Sequence, residues 1–270
     1  MTLRSPIRRR YLMCRPDHFS VRYAINPWMD PDVPTDRDRA IAQWEALRGT
    51  YLELGHQVDL IDPDPELPDM VYAANGALVV DGAVHTTRFH NPERAPEALA
   101  YRDWFVRAGF ARVNEAKEIN EGEGDFLTAG DHLLAGTGFR TAAAAHQEVQ
   151  ELFGRPVITL QLVDPRFYHL DTALCVLDPT TIAFYPEAFT PGSVSVLRRL
   201  FPEAITASAD DAEVLGLNAV SDGRNVVLAA QARGLAAQLA QRGYRPVPLD
   251  MSELLKGGGG AKCCTLEIRS

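Results

Sequence analysis

Apolar and polar positions along the chain follow two periods, which predict short strands alternating with amphipathic helices. Residues 10–14 form a short apolar run that is typical of a buried strand. Between residues 36 and 54, apolar side chains recur at helical spacing with charged residues between them. These are Ile41, Trp44, Leu47 and Tyr51. The first fifth of the chain therefore predicts a strand and then a helix with one buried face.

A module of one hairpin and one helix recurs four times after residue 75. In the first copy, residues 76–80 and 83–87 flank Asp81-Gly82, a pair that favours a two-residue hairpin turn, and a helix is expected over 96–109. The later hairpins begin near residues 125, 172 and 218, and their helices are expected at 141–153, 191–201 and 231–242. The spacing of 46 to 48 residues indicates an array of supersecondary units.

The two ends of the chain supply the parts of a fifth unit. The N-terminal strand and helix would join a strand at residues 263–268, which closes a ring and protects the sheet edges. We therefore predict one α/β domain over residues 1–270, built from ββα repeats of about 47 residues, with residues 1–9 as a flexible arm. Polar residues at the strand ends would then meet around a central axis.

Composition limits the class of protein. The net charge is −9, and three consecutive arginines, at positions 8–10, are the densest basic cluster, which disfavours nucleic-acid or anionic membrane partners. The sequence has no apolar run of membrane-spanning length and no signal peptide, so we expect a cytoplasmic protein. Its four cysteines lack zinc-binding spacing, and disulfides are disfavoured in a reducing compartment. A nucleophilic cysteine is the remaining special role.

Candidate chemistry lies at the ends of the predicted strands. Four glycines at 257–260 precede Cys263 at the start of the last strand, although two inert buried thiols in a flexible tail are the plain alternative. His169 and Asp171 share one face of a predicted strand by the two-residue period. Glu121, Glu123 and Asp125 precede the second hairpin. A thiol, an imidazole and an acid brought together are the parts of an activated nucleophile.

These segments resemble the guanidino-group-modifying enzymes, a superfamily of dimethylarginine dimethylaminohydrolases, arginine deiminases, arginine dihydrolases and amidinotransferases. The resemblance lies in four segments that span nearly the whole chain: Pro-Asp-Met-Val-Tyr at 68–72, Glu-Gly-Glu-Gly-Asp at 121–125, His-Leu-Asp at 169–171 and Gly-Ala-Lys-Cys-Cys-Thr at 260–265. It implies a five-bladed pseudo-symmetric α/β propeller and a hydrolase acting on C–N bonds without a metal or organic cofactor.

The resemblance also assigns roles to residues. Cys263 matches the nucleophile, His169 the acid/base and Glu121 its carboxylate partner, with Glu123 as a competitor because the motif is one residue longer than usual. Cys264 is then expected to point into the core. The resemblance places Asp69 at the substrate guanidinium or α-amino group, and it places Arg94 and Arg140 at the α-carboxylate, which suits their paired donors.

Two departures bear on the substrate. Asp171 can accept hydrogen bonds from an unsubstituted guanidinium, which favours free arginine. Asn75 stands where mammalian-type dimethylargininases and arginine deiminases look to have Asp. A neutral Asn at this position resembles the arginine dihydrolases, which convert arginine to ornithine, CO2 and ammonia. A dimethylargininase, forming citrulline and dimethylamine, is the alternative, and an amidinotransferase or a non-catalytic binding propeller is also open. The small guanidino substrate is the one predicted partner. The sequence leaves open the oligomeric state and whether residues 15–34 form a lid.

Overall fold

A computed structural model describes residues 4–270 and contains five three-stranded sheets. In chain order the strands are β1 (Arg10–Cys14), β2 (Gln57–Ile61), β3 (Ala77–Val80), β4 (Ala83–Thr86), β5 (Arg112–Asn114), β6 (Phe126–Ala129), β7 (His132–Thr137), β8 (Val157–Gln161), β9 (Leu174–Asp178), β10 (Thr181–Phe184), β11 (Ile205–Thr206), β12 (Val220–Ser221), β13 (Asn225–Ala229), β14 (Arg245–Leu249) and β15 (Leu266–Glu267). The helices are α1 (Arg37–Glu53), α2 (Glu97–Arg107), α3 (Ala143–Phe153), α4 (Leu170–Ala173), α5 (Pro191–Leu200), α6 (Ala209–Ala212) and α7 (Arg233–Gln241).

Each internal unit consists of a hairpin, a helix and a third strand. In the first, β3 and β4 are antiparallel, and β5 returns after α2 to pair in parallel with β4. The other units repeat this order, so the predicted five-bladed α/β propeller is confirmed. The third strands were absent from the sequence-based repeat. Several of them are half-exposed along their length, which removes the alternation that marks a strand.

The turn of the first hairpin follows the sequence closely. Asp81 and Gly82 both have positive φ, 50° and 70°, as a type I′ turn requires. Because a positive φ is costly for most residues, the Asp-Gly pair determines where β3 reverses into β4. This prediction is confirmed.

Both termini contribute to the fifth sheet, whose order is β15-β1-β2. β15 pairs antiparallel with β1, and β2 pairs parallel with it. The predicted strand over 263–268 is wrong in its extent, because residues 261–264 form turns and only residues 266–267 form the strand. The reason is local hydrogen bonding, since the N–H of Thr265 donates to Lys262 O at 2.9 Å and its hydroxyl to Ala261 O at 2.7 Å.

Helix α1 packs onto this fifth sheet, and the N-terminal segment contacts the fourth unit. Trp44, Leu47 and Tyr51 of α1 are fully buried, while Ile41 is half-buried. Residues 4–9, within the range suggested as a flexible arm, contact the body of the protein, where the N–H of Ile7 donates to Asp222 O at 2.8 Å. Residues 1–3 lie outside the described range. Within residues 4–270, no helix combines the length and the apolar character needed to cross a membrane.

Candidate active site

The eight predicted site residues are all buried, none more than 6% exposed, although they come from segments far apart in sequence. Direct contacts connect them into two groups, one around the sulfur of Cys263 and one around the carboxylate of Glu121. The set comprises Asp69, Asn75, Arg94, Glu121, Arg140, His169, Asp171 and Cys263.

Cys263 lies in the turn that precedes β15. Its sulfur donates a hydrogen bond to Asp171 Oδ2 at 3.4 Å and accepts one from Asn218 Nδ2 at 3.1 Å. Burial and the Asp171 carboxylate raise the pKa of the Cys263 thiol well above its usual value. These surroundings keep Cys263 a neutral thiol at neutral pH. Cys264 is fully buried in an apolar cluster, as expected.

His169 and Glu121 form a direct pair, with 2.7 Å between Nε2 and Oε2. Glu121 also accepts from Arg140 Nη1 at 3.0 Å and from the N–H of His90 at 3.1 Å. Burial opposes ionisation of Glu121, but Arg140 and His169 outweigh it and hold the pKa of this carboxyl well below its usual range. An ionised carboxylate can only accept, so Nε2 carries the proton. Nδ1 of His169 is buried and lacks a partner among the described residues.

Glu123, the competitor for this role, has different partners. Its carboxylate binds Lys262 Nζ at 2.7 Å, the N–H of Glu267 at 2.8 Å and the guanidinium of Arg269. These contacts attach the second unit to the C-terminal segment. Glu121, two residues earlier, is thus the acid that the structure places on His169.

The segment 169–171 differs from the predicted strand. His169 has extended backbone angles and precedes the short helix α4, which contains Asp171. The prediction that a strand places His169 and Asp171 on one face is therefore wrong, although both side chains do reach the site. The carboxylate of Asp125 accepts from the N–H of Leu170 at 3.0 Å, which ties this turn to the second unit. Oδ1 of Asp171 has no partner among residues 4–270, and burial raises the pKa of this acid to about 6.

The two predicted carboxylate-binding arginines are fixed in place. Arg94 makes a two-point contact with Glu97, at 2.9 and 2.8 Å, and donates to Asn75 Oδ1 at 2.8 Å. Arg140 donates to Glu121 and lies over the ring of Tyr168, 4.7 Å from its centroid. These partners rigidify the guanidinium groups, and they were not expected from the sequence.

The irregular segment 15–34 contacts these residues directly. Tyr23 donates its hydroxyl proton to Asp69 Oδ2 at 2.9 Å, and Ile25 O accepts from Arg140 Nη2 at 2.7 Å. Trp28 Nε1 donates to Arg166 O at 2.8 Å, beside the loop that leads to His169. Oδ1 of Asp69 is buried without a partner in the described chain.

Asn218 is the site residue that the sequence analysis missed. It directly precedes the hairpin of the fourth unit, and its side chain contacts Cys263 and Asp171 O. Asn75 and Asp171 stand at the comparable point of their own units. Comparing the repeats position by position would have identified it.

Known proteins resemble the chain over nearly its full length. A family model described as N,N dimethylarginine dimethylhydrolase, eukaryotic, matches residues 15–270. A dimethylarginine dimethylaminohydrolase of Mycobacterium tuberculosis is 56% identical over 98% of this chain and 87% of that protein. The bifunctional arginine dihydrolase/ornithine cyclodeaminase ArgZ of Synechocystis is 37% identical over 96% of this chain, which spans 37% of that protein. A crystal structure of the N-terminal domain of ArgZ, with a covalently bound reaction intermediate, has a TM-score of 0.92 at 36% identity and covers 96% of this chain and 97% of that one.

Proposed function

Because the chain belongs to the dimethylarginine dimethylaminohydrolase family, we propose that it hydrolyses C–N bonds at the guanidine carbon of arginine or an N-methylated arginine through a covalent intermediate on Cys263. Its class is that of hydrolases acting on C–N bonds in linear amidines. The named activities of the dimethylaminohydrolase and dihydrolase relatives leave the amidinotransferase and the non-catalytic propeller without support.

One observation carries the proposal: three of the predicted site residues each hold a buried polar atom that has no partner in the described chain. They are Oδ1 of Asp171, Nδ1 of His169 and Oδ1 of Asp69. Unpaired buried polar atoms are costly, and a ligand that pairs with them recovers that cost. Two carboxylate oxygens and an imidazole nitrogen together suit a ligand rich in N–H donors and positive charge.

The surroundings of Cys263 explain how a neutral thiol can react. A guanidinium placed against Asp171 compensates the negative charge that raises the pKa of the thiol, and so favours the thiolate when substrate is present. The thiolate sulfur adds to the guanidine carbon and one C–N bond breaks. The proton released by Cys263 ends on the departing amine, with Nδ1 of His169 as the atom free to carry it.

Hydrolysis then regenerates the enzyme. Water gives a proton to His169 and adds to the thiouronium carbon, after which the C–S bond breaks and the sulfur recovers a proton. Glu121 accepts from Nε2 throughout, which keeps the imidazole in the tautomer with a free Nδ1. The ionised state of Glu121 favours the transient imidazolium.

Arginine dihydrolase is the activity that the first unit favours. Asn75 accepts from Arg94 through Oδ1 and donates to Glu121 O through Nδ2, at 2.8 and 3.2 Å, so its uncharged amide bridges the two groups. The neutral amide of Asn75 and the unpaired Oδ1 of Asp171 suit an uncharged, urea-like intermediate. Such an intermediate would remain in the site and undergo a second hydrolysis. The products would be ornithine, CO2 and ammonia.

Dimethylargininase is the second candidate, because the 56% identical relative and the family model both carry that description. Incubating the purified protein with arginine and, separately, with dimethylarginine distinguishes the two. Ornithine from arginine, without accumulation of citrulline, supports the dihydrolase. Faster turnover of dimethylarginine, with citrulline and dimethylamine as products, supports the alternative. Both candidate activities require Cys263, so the Cys263→Ser variant should show neither.

The segment 15–34 serves as a lid in this proposal. It contacts Asp69 and Arg140, and the site residues beneath it are buried, so substrate entry requires the segment to move. Tyr23 and Ile25 link the segment to the site through hydrogen bonds, whereas Phe19, Val21 and Met29 anchor it in the apolar cluster that also contains Cys263.

A further inference from the structure

The side chain of Asn218 uses all its hydrogen-bonding positions on the turn that carries Cys263 and on Asp171. Its Oδ1 accepts from the N–H of Gly260 at 2.9 Å and of Cys263 at 3.0 Å. Its Nδ2 donates to Asp171 O at 3.2 Å and to Cys263 Sγ at 3.1 Å. The residue is 1% exposed. Two acceptor positions and two donor hydrogens are all that a carboxamide offers.

These partners also determine the orientation of the amide. A flipped amide would direct its NH2 group at two backbone N–H donors and its oxygen at a carbonyl oxygen, so it would lose all three bonds to the main chain. The donor is therefore the atom that faces the sulfur. Asn218 O also accepts from the N–H of Lys262 at 3.2 Å, so the main chain of the fourth unit holds the same turn.

The contact to sulfur has an electrostatic consequence. A hydrogen bond donated to a thiolate stabilises the charged form, whereas the Asp171 carboxylate and burial destabilise it. Of the two side chains that hydrogen-bond to the Cys263 sulfur, Asn218 is the one that favours its ionisation. It does so from a position fixed by three other bonds, so little reorganisation is needed as the charge develops.

We infer that Asn218 is a positioning residue that aims the Cys263 sulfur and stabilises its thiolate during attack. This inference rests on the proposed role of Cys263 as the nucleophile. Asn218 acts through Cys263 and is separate from the acid/base pair of His169 and Glu121.

The test uses Asn218→Asp in the full-length protein. This variant keeps an acceptor for the two N–H groups but replaces the donor at sulfur with a carboxylate oxygen. We expect kcat to fall roughly tenfold or more, and the ascending limb of the kcat profile against pH to move up by about one unit, because a hydrogen bond to a charged group is lost. KM should change much less than kcat. Asn218→Ala removes the donor without adding charge and should shift the limb in the same direction.

Asn114→Asp is the matched control, since Asn114 on β5 uses its amide to donate to Val84 O at 3.1 Å, away from the thiol. It should keep the wild-type limb. Melting temperatures separate stability from chemistry, because a merely structural role would lower the melting temperature of both Asn218 variants and leave the limb in place. That result would overturn the inference. A change in KM alone, with kcat and its pH limb as in the wild type, would overturn it as well. Activity in Cys263→Ser would instead overturn the proposed nucleophile.

Discussion

Replacing Glu121 with glutamine removes one negative charge while keeping the shape of the side chain. In the wild type this carboxylate accepts from three donors: His169 Nε2, Arg140 Nη1 and the N–H of His90. A glutamine has one oxygen and an NH2 group, so one of the present donors would face another donor. Arg140 would also remain buried with its counter-charge gone.

The expected effects follow from these contacts. If the glutamine NH2 donates to Nε2, the imidazole proton is forced onto Nδ1, the atom that must accept a proton. We expect kcat to fall by about two to four orders of magnitude, as for other acid/base histidines held in the wrong tautomer. Breaking a buried ion pair at one partner also costs about 3 kcal/mol of the free energy of unfolding.

The stability effect should depend on pH in a defined direction. The pKa of Glu121 is lower in the folded protein than its unfolded value of about 4.3. The wild type therefore gains stability above about pH 4.3 and loses this gain as the pH falls through the folded pKa. The difference in unfolding free energy between wild type and Glu121→Gln should accordingly be largest at neutral pH and smaller in acid.

The assay combines steady-state kinetics on arginine with denaturant unfolding at several pH values. Glu123→Gln is the matched control, because Glu123 is equally buried and held by cations but contacts Lys262 and Arg269 instead of His169. It should lose stability with a much smaller loss of kcat. Comparable losses of kcat in both variants, or wild-type kcat in Glu121→Gln, would refute the assignment of Glu121 as the partner of the imidazole.

Three further predictions concern the acid, the close packing and the lid. The kcat/KM for arginine should fall about tenfold per pH unit below pH 6, because a protonated Asp171 has no negative charge with which to bind the guanidinium. A profile that is flat through pH 5 would contradict this. Gly124→Ala should lower kcat by at least about tenfold, since its Cβ would overlap the Asn75 amide and lie 3.2 Å from the His169 ring, and an unchanged kcat would show that the ring is not held there. Tyr23→Phe, which removes the hydrogen bond to Asp69, should raise KM severalfold by loosening the segment 15–34; Tyr244→Phe, which loses a comparable bond to Asp178 far from the lid, should leave KM as it is.

The repeats and turns could be predicted from the sequence because their signals are local. An Asp-Gly pair defines its hairpin without help from the rest of the chain, and the apolar period of α1 is complete within its own residues. The third strands could not be found in this way. In β14, Pro246 and Pro248 occupy positions opposite Val226 and Leu228, and proline is tolerated there because β14 is an edge strand. β14 becomes a strand only through its pairing with β13.

The candidate site divides along the same line. The sequence by itself determined the identities of the thiol, the imidazole and the acids, and the repeat indicated that they would face a common axis. Only the tertiary structure decided between Glu121 and Glu123, because two acids two residues apart are equivalent in sequence but point to different partners, His169 for one and the C-terminal cations for the other. It also decided that Asn218 faces the sulfur, since a hydrogen bond between the fourth unit and the C-terminal turn depends on the closure of the ring.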